Sequence, residues 1–68
     1  MPIQSSDWQE LARLTARLDE LSDQLEEAEA DSKIAMIYAL EEEIAATEEI
    51  REQVFSRLHD RVTEEAAA

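Results

Sequence analysis

The chain of 68 residues is predicted to be all-α: an antiparallel two-helix hairpin, coiled-coil-like, that dimerises into a four-helix bundle. Three observations lead there. Leu11, Leu14, Leu18, Leu21 and Leu25, with Ala28 after them, alternate spacings of three and four, which places them on one edge of a helix. That register then fails, because its continuation falls on Ser32, Ala35, Ala39, Glu42, Ala46 and Glu49. A second stripe begins instead at Ile37 and runs through Leu40, Ile44, Thr47, Arg51, Val54, Leu58 and Val62. At about 100° per residue the second face is rotated from the first by about a quarter turn or more, so one straight helix cannot turn both toward one partner. Finally, the chain holds no glycine and a single proline, while the good helix formers Ala, Leu, Glu, Gln and Arg dominate.

The elements follow in order. Residues 1–5 form a short arm, with Pro2 stopping backward extension of the first helix. Ser5, Ser6 or Asp7 is placed to cap it, and Ser6 to Gln9 has the spacing of a capping box. Asp7 and Glu10 then sit in the first turn, where the helix dipole favours negative charge. Helix 1 is expected over about residues 6–29, a turn over about 30–32 and helix 2 over about 33–64, within a single domain. The turn carries no glycine for a left-handed C-terminal cap, so Asp31 or Ser32 as a cap for helix 2 is the only local signal. One continuous helix of about 60 residues, changing partner along its length, is the competing expectation.

In the hairpin, Leu25 is expected to meet Ile37, Leu18 to meet Ile44, and Trp8 to lie near Val54 and Phe55. Helix 2 overhangs, and the tail Glu64-Glu65-Ala66-Ala67-Ala68 is expected to fray. So short a chain buries too little surface for a robust monomeric core without a staple. It has no cysteine for a disulfide or a thiolate metal site, which leaves oligomerisation as the staple. Pairing two hairpins buries the flanks of both stripes, with Leu11, Leu14, Leu18, Leu21, Leu25, Ile37, Leu40, Ile44 and Val54 as the seam of the oligomer. In general plan this resembles small plasmid-control and secretion-chaperone hairpins, although no stretch matches a family motif.

The formal charge of −12 is unevenly spread. Residues 1–17 balance two acids with two arginines, residues 18–50 set twelve acids against the single Lys33 for a net of −11, and residues 51–68 are close to neutral at −1. Direct contact with nucleic acid or an anionic membrane needs the opposite sign. A basic protein partner is permitted, and a solvating role for the acidic faces is the simpler account. No stretch approaches the roughly 18 apolar residues of a membrane span, and Met1-Pro2-Ile3-Gln4-Ser5-Ser6 lacks the basic and apolar regions of a signal peptide. A cytoplasmic location is the default expectation.

No catalytic, cofactor or metal site is expected. Glu41, Glu42 and Glu43 are consecutive on a helix and point about 100° apart, so they cannot converge on one ion. A di-iron bundle needs Glu three residues before His, and Ser56 holds that place relative to His59, the only histidine. His59 has no Ser or Cys nucleophile near it in sequence and there is no glycine loop for phosphate, so the chain is expected not to be an enzyme.

The residues proposed for partner binding are Trp8, Tyr38, Arg51, Phe55, Leu58 and Val62. Arg51 stands mid-stripe, one heptad after Ile44 and one before Leu58, beside Thr47. Two roles suit it: a polar layer that fixes register, with Asp7 and Glu10 as candidate partners, or the point at which self-pairing ends and a partner begins. Trp8 and Phe55 fall together at the open end, either closing a small core with Ile3 or forming an apolar patch for another protein. Tyr38, near the turn, is a weaker second anchor.

Together these features predict a small acidic non-enzymatic protein–protein interaction module: an adaptor, a chaperone-like subunit or an inhibitor, acting as a helical-hairpin homodimer. Two alternatives belong to other classes. In one, the acidic middle mimics nucleic acid and blocks a basic nucleic-acid-binding protein. In the other, the chain is a purely structural self-assembling coiled coil.

Overall fold

The computed structural model describes residues 5–67, which form two helices, α1 (Ser5–Ala30) and α2 (Ile34–Ala67), packed against each other as a hairpin. The rod they make measures 53 × 16 × 13 Å. Ile3, expected to help close the open end, lies outside the described residues. Among the described residues, no helix is long and apolar enough to cross a membrane.

The turn, residues 31–33, falls one residue later than expected and is built differently. Ser32 takes a left-handed conformation, with φ of 56°. Around it, the Lys33 N–H donates to the Ala28 carbonyl (2.9 Å) and the Ser32 N–H to the Glu29 carbonyl (3.2 Å). These nested bonds are those of a left-handed helix stop, the device for which glycine is the usual residue. The Ile37 N–H then donates to the Lys33 carbonyl (2.9 Å), which makes Lys33 the capping residue of α2 in place of Asp31 or Ser32. Asp31 serves instead as the last residue before the stop, its N–H donating to the Glu27 carbonyl (3.1 Å).

The ends also differ from expectation. α1 already includes Ser5, so Ser6 and Asp7 lie inside the first turn and not at its cap. Where fraying was expected, α2 continues to Ala67. Glu64, Glu65 and Ala66 are strong helix formers, and neither glycine nor proline interrupts them. α2, at 34 residues, outruns the 26 of α1 by about 12 Å at 1.5 Å per residue.

The core is a single seam along the rod. Near the turn, Leu21, Ala28 and Leu40 form a buried cluster, with Leu25, Ile37 and Ile44 packed against it. Leu21 is only 1% exposed, and a leucine so buried is worth roughly 1.5–3 kcal/mol of transfer free energy. Toward the open end Leu18, Val54 and Leu58 are buried, while Leu11 and Leu14 are half-buried. Thr47 is buried in the seam, its Oγ1 donating to the Glu43 carbonyl at 2.8 Å. Its hydroxyl is thus satisfied within its own helix, and this polar seam position sets no alignment across the hairpin. The seam of α2 leaves Leu58 for half-buried Arg61, whereas Val62, placed in this stripe from sequence, is 50% exposed. Continuing the three–four alternation from Leu58 lands on residue 61, which accounts for the difference.

Candidate functional site

At the open end the register of the hairpin decides which charges meet. Asp7 lies between two arginines of α2, 3.5 Å from Arg57 and 3.7 Å from Arg61. Its carboxylate ties the start of α1 to the end of α2. The arginines are partly exposed, and pairs of this kind contribute about 0–1 kcal/mol each. Glu10 is taken by Arg13 of its own helix. Neither acid therefore pairs with Arg51, contrary to expectation. Arg51 precedes Arg57 by about 9 Å of helix, and it lies level with Leu11 and Thr15, beyond the reach of Asp7.

Arg51 is half-buried and lines a groove of about 360 Å³ with Leu11, Thr15, Glu52 and Phe55. Among the described residues no carboxylate lies within ion-pair distance of its guanidinium. A neighbouring groove of about 200 Å³ is almost wholly apolar, lined by Trp8, Phe55, Leu58, His59 and Val62. Phe55 belongs to both, so the two make one strip along the open half of the hairpin. Leu58 is buried and forms its floor, while Trp8 (50%), Phe55 (57%) and Val62 stand exposed around it. The His59 ring lies 6.2 Å from that of Phe55, tilted by 33°, and its Nδ1 is 3.7 Å from the Asp60 carboxylate.

The structure thus gathers five of the six candidate residues, Trp8, Arg51, Phe55, Leu58 and Val62, and leaves Tyr38 apart. Tyr38 is 65% exposed near the turn, about 25 Å of helix from Phe55. Ile34 and Met36, also largely exposed, share that end with it. Ile50 is another exposed apolar side chain of α2 that sequence reasoning passed over, since it falls between the stripes. The same reasoning missed Arg57 and Arg61, although their spacing of four set both on one face of a helix.

Glu41, Glu42, Glu43, Glu48 and Glu49 all face solvent. Among the described residues no three His, Cys, Asp or Glu side chains come together as a metal site would require. The chain is an all-α helical hairpin. Comparison with protein-family models, with curated proteins and with solved structures gave no match.

Proposed function

We propose that this chain is a small acidic, non-enzymatic protein–protein interaction module, an adaptor, chaperone-like subunit or inhibitor that works as an oligomer of hairpins in the cytoplasm. The observation that carries the proposal is the strip at the open end. Two large aromatic side chains there, Trp8 and Phe55, stand half or more exposed beside Val62 over a buried leucine floor. Exposed aromatics over a packed floor are the usual anchors of protein interfaces, and isolated apolar residues scattered over a surface are not.

Immobilised protein exposed to extract of its source cells tests this. Partner capture is expected to survive about 0.5 M salt, where the Debye length is only a few Å. It should be lost in Trp8→Glu and Phe55→Glu. Capture indifferent to both substitutions would remove the strip from the mechanism. Mimicry of nucleic acid is supported by a different observation, the net of −11 over residues 18–50. It requires capture that collapses with salt and is blind to Trp8 and Phe55.

A further inference from the structure

The last part of α2 carries a stripe of Arg51, Phe55, Leu58, Val62 and Glu65, spaced four, three, four and three, which shares Arg51 and Leu58 with the packing seam. Such spacing keeps all five on one face of the helix, and four of them line the strip at the open end. The order along the stripe is one cation, three apolar residues and one anion. Arg51 and Glu65 stand seven residues either side of Leu58, and Phe55 and Val62 stand three and four either side. A face with this order is complementary to itself when reversed.

We infer that the occupant of the strip is a second copy of this chain, with the two α2 helices antiparallel about Leu58 and Arg51 of each copy against Glu65 of the other. The inference rests on the proposal that the strip is a protein-binding surface, and it names the partner. Three observations favour a second copy. Arg51 is half-buried with no carboxylate in ion-pair distance among the described residues, so the strip has an anion still to receive. Glu64 and Glu65 are exposed on the part of α2 that outruns α1, likewise without an ion pair among the described residues. Finally, pairing about Leu58 sends the two segments of net −11 to opposite ends of the dimer. Parallel pairing would set them side by side, and would also put Arg51 against Arg51 and Glu65 against Glu65. The antiparallel contact is isologous and closes on itself, because each residue of the stripe meets its counterpart reciprocally. The open ends overlap over roughly 21 Å between Arg51 and Glu65 at 1.5 Å per residue, and four helices lie together only near Leu58, where the α1 of each copy reaches the contact.

The test is sedimentation of the full chain over about 10 μM to about 1 mM, the range of affinities that a small interface gives. Trp8 fluorescence serves as a second readout, since Trp8 is the only tryptophan and lies in the strip. Dimer is expected within that range. Arg51→Glu and Glu65→Arg should each weaken it about tenfold or more, and the double variant should restore it to within about threefold, the signature of a direct charge pair in a double-mutant cycle. Glu65 is exposed on the overhang, so Glu65→Arg leaves the hairpin intact even if circular dichroism shows that Arg51→Glu does not fold. In that event Val62→Glu replaces it and should give monomer throughout. A monomer across the whole range overturns the inference, as does a dimer indifferent to Glu65→Arg, or a double variant no better than its parents. Should the chain prove monomeric while partner capture still depends on Trp8 and Phe55, the second copy is refuted and the binding strip stands. Loss of both refutes both.

Discussion

Ser32→Gly should make this protein more stable, although it removes a side chain and adds the residue that helices tolerate least after proline. Ser32 holds φ of 56°, where an L-residue brings its Cβ too near the following carbonyl, at a cost of about 1–2 kcal/mol relative to right-handed backbone. Glycine does not meet that cost, but it loses roughly 0.5–1 kcal/mol more conformational entropy on folding. The balance is a gain of up to about 1.5 kcal/mol, centred on about 0.75 kcal/mol. In a domain this small, the central value corresponds to a rise of about 3–6 °C in melting temperature. Thermal melts by circular dichroism, at one fixed protein concentration so that any self-association is held constant, measure it. Ser22→Gly is the control: the same chemical change at an exposed position inside α1 should cost about 0.5–1 kcal/mol. Ser32→Val should be worse than either wild type or glycine, because a β-branched side chain is the least compatible with left-handed backbone. If glycine at position 32 destabilises as much as glycine at position 22, then position 32 is not left-handed and the stated account of how α1 ends is wrong.

Two further outcomes bear on the fold. Leu21→Ala, at the most deeply buried large side chain, should cost about 2–5 kcal/mol by urea denaturation, close to all that a core of this size supplies; a loss under about 1 kcal/mol would mean the turn-proximal cluster is not packed. Spin labels at Gln9 and Ser56, introduced into a chain free of cysteine, should lie within about 20 Å of each other, whereas a continuous helix would hold them about 70 Å apart, and a distribution centred above about 50 Å is incompatible with the hairpin.

The hairpin was legible in the sequence because two stripes of different phase cannot lie along one straight helix, and that constraint needs no knowledge of the turn. The turn itself was not legible. A left-handed stop is recognised in a sequence by its glycine, and here serine occupies that place, the strain of one residue being offset by the buried cluster of Leu21, Ala28 and Leu40 beside it. The neighbourhood of Trp8 and Phe55 could be foreseen, since any antiparallel pairing closed near residue 31 brings position 8 close to position 55. The partner of Arg51 could not. An error of one helical turn in register moves a charge by about 5.4 Å, enough to exchange one carboxylate for another. Asp7 was correctly singled out as a charge at the start of α1, yet it serves Arg57 and Arg61 and leaves Arg51 free of it.

That exchange links the architecture to the proposed function. On the flank of α2 that carries the strip, the heptad-spaced residues are Ile34, Glu41, Glu48, Phe55 and Val62. The same edge of one helix is thus carboxylate through its middle and apolar through its open half, and the change falls at Arg51. A partner lying along the whole rod would have to satisfy Glu41 and Glu48 as well as cover Phe55, which asks for a basic end and an apolar end in one surface. A partner confined to the open half meets no such demand, and repulsion between acidic turn halves would confine the proposed second copy of this chain to that half. Because Asp7 is already held by Arg57 and Arg61, Arg51 remains the one described arginine at the strip with its charge unmatched, at the boundary where the flank turns from wet to apolar. An incoming carboxylate set beside apolar side chains is what that boundary selects, and Glu65 beside Val62 offers both in the right order.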